Sequence, residues 1–263
     1  MALSLLALVA APLALCAGCV AEGPPTGTAG RDAESGDRGG PGPSSAPDEQ
    51  ASDPVLVEPF EDDFDRAELG PDWRALSPAW RIENGRLCAR GAGNRGVWLR
   101  RTIPASARIE VTAIAQSEDG DLKVELWGDG ASGATRATYD DATSYLAIFG
   151  GWRNQRHVLA RRDEHATDRA EMLVDPRSDD PRQHPVAVGQ PHRFTFERRD
   201  GRTLRWEVDG ALLLEIVDDA PLRGAGHDHL GFNDWDAPVC FDDLRVEPLA
   251  PRGAPHRSPS RAN

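Results

Sequence analysis

Leu204-Arg205-Trp206-Glu207-Val208-Asp209-Gly210-Ala211-Leu212-Leu213-Leu214-Glu215-Ile216 decides the fold class. Leu204, Trp206 and Val208 alternate with Arg205 and Glu207, the period-two signature of a strand with one buried face. Asp209-Gly210 follows directly, and a two-residue Gly turn matches the twist of two antiparallel strands. The stretch is therefore a β-hairpin.

Outward from it the same pattern repeats. Phe194 and Phe196 alternate with Thr195 and Glu197 and lead to a second turn signal, Asp200-Gly201. Tyr145-Leu146-Ala147-Ile148-Phe149 is apolar on both sides, and Gly150-Gly151-Trp152-Arg153-Asn154 turns it into His157-Val158-Leu159-Ala160. Val124 and Leu126 alternate with Lys123, Glu125 and Trp127; Ile109, Val111 and Ala113 alternate with Glu110 and Thr112. Trp80-Arg81-Ile82 reaches Leu87-Cys88-Ala89 through Asn84-Gly85, and Val239 to Val246 closes the series. Helical signals are scarce between Pro54 and Leu249. Many strands joined by Gly turns predict an all-β antiparallel sandwich or jelly roll. Asp163 to Pro191 is polar and Pro-rich and reads as a long loop with one short helix near Thr167 to Leu173. Phe232-Asn233-Asp234-Trp235-Asp236 reads as a loop before the closing strand.

Particular motifs then carry a resemblance. Asp62-Asp63-Phe64 with Leu69-Gly70-Pro71-Asp72-Trp73 resembles the opening strand of bacterial concanavalin A-like jelly-roll domains. Trp80 to Leu87 resembles their second hairpin, Leu204 to Gly210 their strand-then-Val-Asp-Gly turn, and Phe241 to Val246 their closing strand. That group includes laminin-G-like modules, glycosidase-associated sugar-binding modules and the family labelled 3-keto-disaccharide hydrolase. The resemblance implies a fold and leaves the activity open.

Both ends of the chain differ from this domain. Residues 1–19 hold an apolar run, shorter than a membrane span and broken by Pro12. Ala17-Gly18-Cys19 resembles the end of a bacterial lipobox, which implies cleavage before Cys19 and lipidation of its thiol. Cys16 stands where such motifs usually carry Leu, and no Lys or Arg precedes the run. Ordinary secretion with cleavage near Ala17 or Ala21 is the alternative. Residues 20–53 are rich in Gly, Pro, Ser and acids and read as a disordered tether. Residues 250–263 read as a similar tail, leaving 54–249 as the folded domain. The expected location is the cell envelope, lipid-anchored or secreted, with membrane contact through the anchor only. Val20 after the lipidated cysteine favours the outer membrane.

A formal charge of −13 argues against nucleic acid as a partner, which a basic patch would have to neutralise. An exported chain meets an oxidising compartment, and Cys88 and Cys240 are the cysteines of the domain. Jelly-roll chains bring first and last strands together, so a Cys88–Cys240 disulfide is expected; two separately buried thiols are the alternative. By the same resemblance, a carboxylate from each end of the domain holds a structural Ca²⁺, with Asp63 and Asp243 as metal candidates. The competing reading has these acids merely flanking strands and capping turns.

Sugar rings present apolar C–H faces that stack on indoles, while amides and Arg complete the hydroxyl hydrogen bonds. Trp127, Tyr145, Trp152, Asn154, Arg162, Asn233 and Trp235 are the candidate ligand-binding residues, and Trp73, Trp80 and Trp206 are assigned to the core. No catalytic motif is legible, and Lys123-Val124-Glu125-Leu126-Trp127 lacks the acidic partners of a jelly-roll glucanase strand. The leading reading is a non-catalytic module that binds glycan or another extracellular polymer. One rival is a glycosidase or lyase built from Glu125, Arg162, Asp163, Glu164, His165, His227 and His229. The other is a protein-interaction scaffold. Tryptophans gathered on one concave face favour the first, Glu164, His165 and the histidine pair in one closed pocket the second, and a flat apolar patch the third.

Overall fold

The structure, a computed structural model, describes residues 52–250. Cys19, the apolar run and almost all of the tether lie outside the described residues. Asp53, assigned to the tether, belongs to the folded part: its carboxylate lies 3.1 Å from Arg74, 3.5 Å from Arg100 and 3.3 Å from His229.

Fifteen strands follow in chain order. They are β1 Phe60–Asp62, β2 Trp73–Ala75, β3 Arg81–Ile82, β4 Leu87–Ala89, β5 Val97–Leu99, β6 Ala107–Ala115 and β7 Leu122–Gly128. Then come β8 Tyr145–Gly150, β9 Arg156–Arg161, β10 Ala170–Leu173, β11 Pro191–Arg198, β12 Thr203–Val208, β13 Ala211–Val217, β14 His229–Asn233 and β15 Val239–Pro248. All pairings between them are antiparallel. One sheet runs β13-β12-β11-β6-β15-β4-β3, with β1 also on β15, and the other runs β10-β9-β8-β7-β14-β5-β2. This is the expected all-β jelly-roll sandwich.

Alternation places the core. Ile109, Val111, Ala113, Phe194, Phe196, Leu204 and Trp206 from the first sheet meet Val97, Leu99, Leu122, Val124, Leu126, Ala147 and Leu159 from the second. Trp73, Trp80 and Trp206 are in this core, as assigned. The hairpins read from Asn84-Gly85 and Asp209-Gly210 are present. Asn84 and Asp209 sit there at positive φ, which short polar side chains tolerate best after glycine.

Two readings of the chain are corrected. The segment near Thr167 to Leu173 carries no helix: Ala170–Leu173 adds to β9 as the edge strand β10. A one-turn 3-10 helix lies later, at Pro181–Gln183. Phe232 and Asn233 belong to strand β14, in the middle of its sheet, and not to a loop.

Cys88 and Cys240 face each other across β4 and β15 and are joined by a disulfide. The bond closes a loop with a sequence separation of 152, tying the early part of the domain to its last strand. Chain-entropy arguments put the value of such a cross-link at about 4–5 kcal/mol, mostly through restriction of the unfolded chain. Cys88→Ala/Cys240→Ala should therefore lose about that much in urea unfolding. An equal midpoint for variant and parent would refute the role.

Candidate functional site

The site is built on the outward face of β7 and its neighbours. Leu122, Val124 and Leu126 point into the core, so Lys123 and Glu125, with Asp121 just before the strand, point the other way. That outward face is not left to solvent. Leu146 and Ile148 on β8, Val158 and Ala160 on β9, and Tyr139 and Ala142 from the 129–144 connection pack into a second small apolar cluster over it. Trp98 on β5 is fully buried beside them. It fits because Gly128 and Gly231 lack side chains: a methyl at either would come within 3.0 Å of the indole.

Charges enclosed this way must find partners inside the protein. The Lys123 ammonium donates to Asn94 Oδ1 at 2.8 Å and to Glu164 Oε2 at 2.9 Å. Glu125 accepts from Tyr139 Oη at 2.9 Å, from Ser144 Oγ at 2.6 Å and from Asn233 Nδ2. Asp121 remains only partly covered. It opens into a cavity of about 450 Å³ lined by Asp119, Asp121, Lys123, Glu164, His165, Trp152, Arg153, Trp235 and Asp236.

Trp152 is held over that cavity by an unusual turn. Gly150, Trp152, Arg153 and Asn154 all have positive φ and lie in the left-handed region. That conformation costs an L-residue roughly 1–2 kcal/mol. Asn154 sustains the turn: its Nδ2 donates to the carbonyls of Glu118 (3.1 Å) and Val186 (2.8 Å), and its Oδ1 accepts from Val186 N at 2.9 Å. The indole has the Arg169 and Arg156 guanidinium carbons 5.1 and 5.4 Å from its centroid and the His165 ring at 5.5 Å. Trp235, 43% exposed, contributes to the opposite loop.

The candidate residues divide accordingly. Trp152 and Trp235 reach the cavity, and Asn233 sits beneath it on Glu125. Trp127 and Tyr145 do not: both are fully buried between the sheets. A bulge in β7 explains Trp127. Its positive φ and the register shift opposite His229/Leu230 place Trp127 on the same side as Leu126, where strict alternation would have pointed it outward. Its indole N–H donates to Pro104 O and its face carries the buried Arg198 guanidinium at 3.6 Å. Tyr145 Oη donates to Asp218 and accepts from Leu222 N. Asn154 is spent on the turn, and Arg162 points at the Ala142 carbonyl at 3.4 Å, away from the cavity.

The remaining groups separate as well. Glu164 and His165 line the cavity, but His227 bonds the Thr143 carbonyl and His229 is buried against Asp53 and Asp228. The pocket foreseen for an enzyme is thus not assembled. Asp63, which caps Asp65 N, and Asp243, at a bulge in β15, line one shallow depression together with Arg66, Arg193 and Arg245. Among the described residues no three His, Cys, Asp or Glu side chains gather to hold a metal. Sequence reading missed Asn94, Asp119, Asp121 and Lys123. The available signal was the period-two charge row Asp121-x-Lys123-x-Glu125 behind an apolar inner face.

No protein-family model matches the chain, and no curated protein matches its sequence. Solved structures do match its fold. A Crh5 transglycosylase in complex with NAG aligns with a TM-score of 0.52 at 13% identity, over 76% of this chain and 88% of that one. A native glycosidic hydrolase aligns with a TM-score of 0.50 at 12% identity, over 74% and 98%. The carbohydrate-binding module CBM66 from Bacillus subtilis aligns with a TM-score of 0.48 at 14% identity, over 67% and 95%. At such identities the first two likenesses bear on the fold alone, the jelly-roll sandwich described above.

Burial also sets the protonation of the site. It pushes the Glu125 carboxyl up to about 7, against the lowering effect of its Ser144, Tyr139 and Asn233 hydrogen bonds and of Lys123. Asp121 rises to about 6, by burial first, with Glu164 and Asp119 adding and Lys123 opposing. Lys123 stays charged, because the fields of Asp121 and Glu164 outweigh its own burial. Glu125 holds its proton more tightly folded than unfolded, so its stabilising contribution is complete below the unfolded-state value and is lost as pH rises through about 7. Glu125→Gln should therefore gain stability relative to the parent by on the order of 2 kcal/mol between about pH 5 and about pH 8. Thermal unfolding of both proteins across that range checks it; parallel pH profiles would contradict it.

Proposed function

We propose that this chain is an exported, lipid-anchored module that binds a glycan or another extracellular polymer without altering it. The observation that carries the reading is the pairing of Trp152 and Trp235 around a cavity with a polar floor on the outer face of the β7 sheet. Indoles supply the stacking surfaces that a sugar ring's C–H faces need, and charged groups beneath them supply hydroxyl partners. The left-handed turn fixes Trp152 in advance of any ligand, and prior ordering lowers the entropy cost of binding. Two proteins that share the fold are named for action on sugars, a transglycosylase and a glycosidic hydrolase, and this supports a saccharide over a protein partner.

The arrangement favours binding over hydrolysis. A retaining pair needs two carboxyl groups about 5 Å apart on either side of the same bond. Glu125 is sealed beneath Tyr139 and spent on three donors, and Glu164 is tied to Lys123. Placement in the cell envelope rests on the lipobox-like Ala17-Gly18-Cys19 and is supported by a disulfide of the kind oxidising compartments sustain.

A glycan array probed with the protein tests the activity. Saturable binding, reduced at least about tenfold by Trp235→Ala, is expected from the loss of one stacking face. Absence of binding to every glycan refutes the proposal, and disappearance of the arrayed sugar itself establishes an enzyme instead. Metabolic labelling with palmitate tests the anchor: the parent should incorporate label and Cys19→Ser should not, whereas an unlabelled parent would indicate plain secretion.

A further inference from the structure

Unspent hydrogen-bonding capacity in the cavity says which saccharides it suits. The Lys123 ammonium is almost wholly buried yet lines the cavity, and it has three N–H donors. Asn94 and Glu164 take two of them. The nearest aromatic face, Tyr139, lies 5.9 Å from the nitrogen, so the third donor has no protein acceptor among the described residues. Beside it the Asp121 carboxylate feels the charges of Lys123, Glu164 and Asp119 but accepts no hydrogen bond among the described residues. No ion-pair contact joins the two, because Lys123 is committed to Glu164. Of the groups around them, Glu125 has three donors and Asn154 uses both ends of its amide; Asp234 accepts from Ala92 N through Oδ2, and its buried Oδ1 has no partner among the described residues but does not line the cavity. One free donor and one free acceptor therefore meet in the same cavity, both on the outward row of β7 and flanked by Trp152 and Trp235.

We propose that Asp121 and Lys123 form a hydroxyl grip that selects neutral sugar rings over anionic ones. The proposal rests on the glycan-binding reading of the same cavity. A hydroxyl both donates and accepts, so one hydroxyl or a vicinal pair satisfies Asp121 and Lys123 together. A uronate would satisfy Lys123 while facing Asp121, Asp119 and Asp236. Discrimination thus comes from repulsion as much as from attraction.

The test is calorimetric titration of the protein with two kinds of probe: neutral hexose oligomers (β-1,3-glucan, β-1,4-glucan and mannan fragments) and oligogalacturonate. Neutral oligomers should bind at least about tenfold more tightly than oligogalacturonate. Asp121→Asn keeps the shape and remains foldable because the side chain borders the cavity. It should weaken neutral binding by about tenfold, through loss of a charge-assisted bond, and should narrow the gap to oligogalacturonate. Asp121→Ala, which removes the acceptor, should weaken neutral binding further. Equal affinity for oligogalacturonate overturns the proposal. So does unchanged neutral binding in both Asp121 variants when Trp235→Ala still abolishes it, an outcome that leaves the glycan-binding reading standing. Binding of none of the probes, or binding indifferent to Trp235→Ala, removes that reading and the grip together.

Discussion

The constraint on which the structure turns is a strand buried on both faces that carries charge on one of them. Strand β7 lies in the middle of its sheet, so its inner row of Leu122, Val124 and Leu126 needs only the opposite sheet. Its outer row places an ammonium and a carboxyl where water is excluded, and an isolated charge there would cost several kcal/mol. Three separate connections are drawn over the face to prevent that. The 91–95 segment brings Asn94, the 129–144 connection brings Tyr139 and Ser144, and the 162–166 segment brings Glu164. Loops that would otherwise be free are thereby fixed by the chemistry of one strand. The cavity is what remains between them and the Trp152 turn.

The other sheet shows the contrast. Its outer face is a lattice of ion pairs, one along β6 (Arg108 with Glu110) and the others across strands: Arg108 with Glu197, Arg193 with Glu110, Arg205 with Glu215, and Arg245 with Glu61. Exposed pairs of this kind each contribute little, in the range of about 0–1 kcal/mol. Their effect is to keep a broad sheet solvated and balanced in charge. The asymmetry assigns the two faces different work, and only the β7 face gathers aromatic, acidic and buried cationic groups at one place.

How much of this was legible follows from which signals are local. Hairpins announced by Asn84-Gly85 and Asp209-Gly210 could be read directly, because turn type and alternation sit within a short span of chain. Strands β5 and β14 were missed because they are short and pair with distant neighbours, Val97 with Phe232, and β10 because it sits in a polar, Pro-rich stretch, although it pairs with the strand just before it, Ala170 with Leu159. Trp127 was misplaced for a sharper reason. Period two holds only in an unbroken strand, and one left-handed residue moves everything after it to the other face. Trp152 and Trp235 were legible as aromatics in polar loops, whereas Asp121 and Lys123 were not, since charged residues in an alternating strand ordinarily face water. Their burial depends on the 129–144 and 162–166 connections folding back, which no local pattern encodes.

The strained turn at Trp152 joins these arguments. Three consecutive non-glycine residues in the left-handed region are unfavourable by several kcal/mol taken together, and such conformations persist only where surrounding structure over-determines them. Here the determinants are specific: the Asn154 amide clamps Glu118 and Val186, Gln155 N bonds Gly151 O at 2.9 Å, and Gly150 N bonds His157 Nδ1 at 3.0 Å. Burial pushes His157 down to about 4, so near neutral pH its ring nitrogen is free to accept that bond. A right-handed turn would lack these fixed contacts, and the indole would leave the wall of the cavity. The strain and the polar row of β7 are therefore two halves of one arrangement. One sets the aromatic wall, the other sets the hydrogen-bonding floor, and a ligand that fits must satisfy both at once.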